Sequence, residues 1–164
     1  MSEYPVPIRK SHFLDDFDCG NESLNGYLKR YALQNHAGDG AKTYVSLRAN
    51  KVVGYYSLAY GSVEYDLASE KMKKGLGRYP VPAILLARLA VDKRFQGKGM
   101  GAGLLKNAFL RSISAAEIAA ARTMIVTAKD GGSRNFYMKF GFVPYVSDGL
   151  HLYLLMKTIG DAMK

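Results

Sequence analysis

The stretch FQGKGMGAGLL, residues 95–105, places four glycines within seven positions and then turns apolar. Glycine weakens helices and strands alike, so its neighbours decide what the stretch is for. Immediately before it, AILLARLAV (83–91) is a nearly unbroken apolar run, the pattern of a strand buried on both faces. After it, from Gly101 to Arg122, small and apolar residues recur at helical spacing: Leu104, Leu105, Ala108, Phe109, Ser112, Ala116, Ala119 and Ala120. A glycine turn between a buried strand and a long helix has two readings. Its N–H groups, unobstructed by side chains and backed by the helix dipole, suit a phosphate. Alternatively the backbone must simply pack closely there. Lys98 within the turn and Arg94 before it add positive charge.

Three nucleotide motifs are distinguishable. A P-loop requires G-x-x-x-x-G-K-[ST], and the Lys-Ser/Thr pair is missing. Gly97-x-Gly99-x-x-Ala102 approximates a dinucleotide fingerprint. However, the next strand ends in TAKD about thirty residues on, beyond the roughly 20 residues at which an acidic partner is expected. The third is Q-x-x-G-x-G, met by Gln96-Gly97-Lys98-Gly99-Met100-Gly101.

Working outward, NESLNGYLKRYALQNHA (21–37) carries Leu24, Tyr27, Leu28 and Tyr31 on one helical face, with Asn21 as a cap. KTYVSLRANKVVGYYSLAYGSVEY (42–65) predicts a hairpin turning at Asn50-Lys51. Residues 66–82 are polar, basic and turn-rich, as in a surface segment. TMIVTA (123–128) predicts a second buried strand. GGSRNFYMKF (131–140) predicts a short helix closed by Gly141. FVPYV (142–146) and HLYLLMK (151–157) predict two final strands. The order is α, β-hairpin, β, α, β, α, β, β: an α/β fold with one sheet layer flanked by helices.

The 164 residues suit a single domain, 1–164. No apolar run approaches the ~18 residues of a membrane span, and MSEYPVPIRK lacks a signal-peptide core. A cytoplasmic home is therefore expected, with no membrane partner. Cys19 is the sole cysteine, which leaves no internal disulfide and no multi-Cys metal site, and it reads as a structural thiol. The 23 Lys and Arg against 14 Asp and Glu, net +9, favour anionic partners.

The Gln96–Gly101 stretch resembles the pyrophosphate-binding motif of the GNAT family of N-acetyltransferases. AKDGGSRNFYMKFGFVP (128–144) resembles that family's second signature. FDCGNESLNGYLKRYALQNHAGDGAKTYV (17–45), GRYPVPAILLARLAVD (77–92) and AAEIAAARTMIVTAKD (115–130) extend the likeness to the acetyltransferase toxins of type II toxin–antitoxin modules, over nearly the whole chain.

The resemblance implies a GNAT fold with a mixed, mostly antiparallel sheet whose strands splay. It implies acetyl-CoA as co-substrate and no metal. Leu89, Ala90 and Val91 would pair with the pantetheine arm, and Gln96, Gly97, Lys98, Gly99, Met100 and Gly101 would hold the pyrophosphate. Val91 N–H would polarise the thioester carbonyl. Tyr137 falls on the family tyrosine, the proton donor to the leaving thiolate. The family Asn position holds Asp130, and Asn135 is the substitute for that contact. The implied acceptor is the α-amino group of aminoacyl-tRNA, whose acetylation blocks translation. The implied partners are a ribbon–helix–helix antitoxin and a second copy in a homodimer.

No His or Glu insists on the role of base. His12, His36 and His151 read as structural or exposed, and Glu64 as a candidate through water. A lysine amine, pKa near 10.4, would need a base, whereas an α-amino group starts near 7.7–8.0 and an ester beside it lowers it further. The missing base therefore suits an aminoacyl ester. Lys29, Arg30, Arg78, Lys93 and Arg94, with Lys71, Lys73, Lys74 and Arg88, form a candidate route for an RNA backbone. The alternatives are a GNAT enzyme acting on a small-molecule or protein amine, and a non-catalytic binding module.

Overall fold

The computed structural model describes residues 4–164. The chain opens with strand β1 (Val6–Pro7), then helices α1 (Glu22–Arg30) and α2 (Ala32–Ala37), and strands β2 (Lys42–Arg48) and β3 (Lys51–Val63). Helix α3 (Glu70–Lys73), strand β4 (Val81–Val91), a 3-10 turn (Lys93–Phe95) and helix α4 (Met100–Ile118) follow. Strand β5 (Thr123–Thr127), helix α5 (Gly131–Lys139), strands β6 (Val143–Pro144) and β7 (His151–Leu155) and helix α6 (Met156–Ala162) complete it. Hydrogen bonding orders a seven-stranded sheet β1-β2-β3-β4-β5-β7-β6. Of the described pairings, only β4–β5 is parallel. The expected fold class, a mixed and mostly antiparallel sheet with helices, is the one observed.

The chain forms two compact units. One runs to Ala59 and includes Leu86–Ala108; the other comprises Tyr60–Leu85 and Phe109–Lys164. In the first, Asn21 caps α1 by accepting the Leu24 N–H at 3.0 Å, and Lys29 and Arg30 close its last turn, as the dipole favours. Tyr27 and Leu28 of α1 pack with Phe17, Val45, Val52, Tyr55 and Ala90 in one apolar core. The second unit has its own core of Val63, Met72, Val81, Ala83, Ile125 and Tyr153.

Several boundaries differ from expectation. The helix expected over 21–37 breaks at Tyr31, whose φ of −124° leaves the helical range. The hairpin turns one residue early, at Ala49-Asn50. Both residues have positive φ, 50° and 66°, as a two-residue turn matched to strand twist requires. Within 66–82, Ser69 caps α3 by accepting the Met72 N–H at 3.2 Å, and Met72 is fully buried. The last strand stops at Leu155, where the Met156 N–H turns to the Arg122 carbonyl at 2.9 Å and α6 begins. None of the helices among the described residues is long and apolar enough to cross a membrane.

Candidate active site

Strand β4 delivers the chain to the glycine stretch. Its parallel ladder with β5 is confined to Ala83–Leu85, while the strand runs on to Val91. Leu89 and Val91 are half-buried and Ala90 is buried. Next comes Asp92, 1% exposed. Its carboxylate accepts from the Asp18 N–H (3.1 Å), the Arg94 N–H (2.9 Å), Arg94 Nε (3.0 Å) and Arg94 Nη2 (3.1 Å). Burial pushes this carboxyl up, but those hydrogen bonds outweigh it and hold it below the usual range. Gln96 adds a second tie: its Nε2 donates to the Val91 carbonyl at 2.8 Å and the Cys19 carbonyl at 3.1 Å. The Lys93 N–H donates to the Asp18 carbonyl at 2.8 Å. Segment 18–19 and the turn are thus bound together by side chains.

The backbone beyond this brace is left open. Gly97 and Gly99 have φ of 77° and 84°, the left-handed region that glycine enters without strain. A Cβ at either would meet nothing within 4 Å, so close packing is not what requires glycine there. The N–H groups of residues 97–102 have no hydrogen-bond acceptor among the described residues, and the helical ladder starts with Gly103 N–H donating to the Gly99 carbonyl at 3.0 Å. Successive free N–H groups through left-handed residues, continued into the N-terminus of a long helix, form an anion-binding concavity. Arg48, Arg94 and Lys98 all lie within 6 Å of the Phe95 ring, which concentrates positive charge beside it. Gly54 on β3 has the close-approach role: a Cβ there would meet Leu104 Cδ1 at 3.1 Å and Met100 Sδ at 3.2 Å.

In the other unit, Asp130 caps α5 by accepting the Ser133 N–H at 2.8 Å, which holds its carboxyl below the usual range. This engagement explains an acid at that position. Asn135 is exposed one turn on. Tyr137 is 6% exposed, edge-on to Phe136 (5.2 Å between centroids) and Phe142 (5.6 Å). Burial pushes its phenol well above the ordinary value, so it stays protonated at neutral pH. The hydroxyl has no hydrogen-bond partner among the described residues. The ring is buried while its hydroxyl oxygen reaches solvent, and a protonated donor placed so is equipped to give its proton to a ligand.

The histidines are engaged structurally. His12 Nδ1 accepts the Arg9 N–H at 3.0 Å, and His36 Nδ1 accepts the Thr43 N–H at 2.9 Å. Burial lowers both pKa values, which keeps those nitrogens acceptors. His151 pairs with Asp148 at 2.8 Å. Glu64 is exposed. Cys19 is half-buried, with Sγ 3.6 Å from the Asn21 carbonyl. Among the described residues, no group of three or more His, Cys, Asp or Glu is placed to hold a metal.

The basic residues divide. Lys29 and Arg30 are exposed at the end of α1. Arg88 stacks 3.5 Å over the Tyr27 ring, and Arg78 and Lys73 cover Tyr65. Lys93 pairs with Asp18 at 3.1 Å, and Arg94 grips Asp92. The two cations expected to meet RNA beside the turn also brace it, with side chains 60% and 57% exposed. Asp92 is the residue that sequence reasoning missed. Its one local signal is an acid directly before the 3-10 turn, at a cap position.

Residues 39–144 match the GNAT acetyltransferase domain family. The chain is 42% identical over 167 aligned residues to the tRNA-acetylating toxin of Mycobacterium tuberculosis, covering 98% of this chain and 100% of that protein. Among solved structures, AtaT complexed with acetyl-methionyl-tRNAfMet is similar with a TM-score of 0.89 at 27% identity, covering 98% of each chain. An AtaT mutant bound to the C-terminus of the antitoxin AtaR and to acetyl-CoA has a TM-score of 0.82 at 27% identity, covering 96% of each chain. The family match spans more than half of the sequence, around both the glycine turn and the buried tyrosine, and the chain belongs to the GNAT acetyltransferases.

Proposed function

We propose that the chain, 1–164, works as one acetyltransferase domain that moves an acetyl group from acetyl-CoA to the α-amino group of aminoacyl-tRNA and so halts translation. The observation that carries the donor is the row of free N–H groups over residues 97–102. It fits the pyrophosphate of acetyl-CoA in charge, in donor number and in access. Gln96 holds this cradle by its side chain, while Gly97, Lys98, Gly99, Met100 and Gly101 supply N–H groups to it. Leu89, Ala90 and Val91 lie where the β5 ladder has ended and serve the pantetheine arm through their backbone. Asn135 is assigned a contact to the same co-substrate.

Acetyl-CoA supplies the activated acyl thioester. The amine nitrogen forms a bond to the thioester carbon, the carbon–sulfur bond breaks, and the sulfur takes the electron pair. Tyr137 donates its proton to that sulfur, and the Val91 N–H polarises the carbonyl. The amine loses one proton as the amide forms. An ester-linked α-amino group is largely neutral near pH 7–8 and needs no strong base. That matches a chain whose three histidines are all engaged structurally. A lysine acceptor would be charged and fits less well.

The acceptor rests on the likeness to the tRNA-acetylating toxin and to AtaT with its acetylated tRNA. The likeness to the AtaT–AtaR complex supports an antitoxin as partner. We take it to be of the ribbon–helix–helix type and the enzyme to be a homodimer working in the cytoplasm, where charged tRNA is found. Exposed Lys29, Arg30 and Arg78 are assigned to the RNA backbone.

Cell-free translation tests the reading. The purified protein should arrest synthesis only when acetyl-CoA is present. Arrest without acetyl-CoA, or continued synthesis with it, would overturn the proposal.

A further inference from the structure

The unit that carries Tyr137 also holds a cavity of about 400 Å³ lined by Lys71, Lys74, Arg122 and Lys157 together with Ala121, Leu155 and Met156. Lys71 and Lys74 come from α3 and its end, Arg122 from the residue before β5, and Lys157 from the first turn of α6. Sequence spacing hides this convergence, since 86 positions separate Lys71 from Lys157.

None of the four cations has a carboxylate partner among the described residues. The nearby acid Glu70 pairs instead with Lys73, at 3.5 Å. Four like charges lining one hollow repel one another, with no ion pair to a carboxylate among the described residues to offset that. Arg122 is also held in place. Its N–H donates to the Pro82 carbonyl at 2.8 Å, its carbonyl accepts the Met156 N–H at 2.9 Å, and Nη1 donates to the Lys74 carbonyl at 3.0 Å. The guanidinium is thereby fixed on one edge, and its other N–H groups remain to meet an anion. A guanidinium held on one edge, in a cavity also lined by three exposed lysines, suits a phosphodiester, with Arg for geometry and Lys for point charge.

We propose that this cavity is a second docking point for the tRNA, taking backbone phosphates remote in sequence from the glycine turn. The proposal rests on the reading of charged tRNA as acceptor. The contact is blind to base sequence and to the amino acid carried. It supplies affinity and orientation, not chemistry.

Binding of deacylated tRNA, which involves no acetyl transfer, provides the test. Fluorescence anisotropy with end-labelled deacylated tRNA is read over a salt series. The wild type is compared with the triple variant Lys71→Ala, Lys74→Ala, Lys157→Ala and with its charge-keeping counterpart, in which the same lysines become Arg. All three side chains replaced are on the surface, and Arg122 stays. The alanine variant should bind at least tenfold more weakly at low salt, and its log–log salt slope should flatten by about 2, as expected when three phosphate contacts are lost. The arginine variant should restore both, and acetyl-CoA affinity should not change in either. An unchanged affinity and slope in the alanine variant sinks this site and leaves the acceptor reading standing. If antitoxin binding is lost while tRNA binding is kept, the cavity belongs to a protein partner and the proposal is wrong. Failure of the wild type to bind tRNA at all overturns the acceptor reading itself, and this proposal with it.

Discussion

In the proposed reaction the glycine turn and the tyrosine helix work with opposite parts of the polypeptide. Over 97–102 the functional groups are backbone N–H, and the nearby side chains, Asp92 and Gln96, serve to hold that backbone still. On α5 the proposed functional group is a single phenol, kept protonated by its burial beside the rings of Phe136 and Phe142. The first site tolerates changes that preserve its torsions, whereas the second depends on one oxygen atom. The contrast predicts which parameter each mutation moves.

Tyr137→Phe is expected to have the largest effect. It removes the donor and keeps the ring, so kcat should fall by about 10²–10⁴ with acetyl-CoA affinity unchanged. A fall in affinity with kcat preserved would place Tyr137 in binding and break the contrast. Asp92→Ala comes next. It leaves the Asp18 and Arg94 N–H donors without their acceptor, at a cost of about 2–4 kcal/mol in unfolding free energy. The Michaelis constant for acetyl-CoA should rise as the turn loosens, and Asp92→Asn should recover part of both. Denaturant melts read alongside initial rates separate the two effects.

Gly97→Ala and Gly99→Ala should be milder, since open space surrounds both and only the positive φ is strained. Each is expected to cost about 1–2 kcal/mol, read as weaker acetyl-CoA binding at constant kcat. Gly103→Ala is the internal control: it is helical, exposed and open, and should stabilise the helix by up to about 1 kcal/mol without touching binding. Calorimetric titration with acetyl-CoA distinguishes the three, and equal losses for all would contradict a cradle set by left-handed torsions.

The smallest effect concerns acid. The Gly20 N–H, the Asn25 amide and Lys93 hold Asp18 down to about 2, against 3.8 ordinarily. Its folded pKa lies below its unfolded one. The stability it lends is therefore present above pH 3.8 and lost as pH falls toward about 2. The urea midpoint should decline across that window, and Asp18→Asn should flatten the decline. A midpoint equally steep in the variant would remove Asp18 from the brace.

The same contrast explains what was legible in the sequence. The turn was readable because its torsions demand glycine, and glycine at 97 and 99 is visible without any partner. Tyr137 stands out only through the resemblance of residues 128–144 to the family's second signature, since in a chain with 12 tyrosines its local setting alone does not separate it from a packing residue. Asp92 was not readable, since its tie to the Asp18 N–H spans 74 residues and its burial depends on that distant segment, while Arg94 two positions on reads only as surface charge. The pairing of Lys93 with Asp18 is hidden for the same reason. Met156 continues an apolar run, so the sequence extends the C-terminal strand, and what ends it is the Met156 N–H donating to the distant Arg122 carbonyl.

The most direct test follows label from acetyl-CoA carrying a labelled acetyl group, offered to charged tRNA, deacylated tRNA and bulk protein in parallel. Label should appear on the aminoacyl group of charged tRNA, disappear when the ester is hydrolysed before the reaction, and fall with Tyr137→Phe. Label on deacylated tRNA, or on protein lysines alone, would contradict the account.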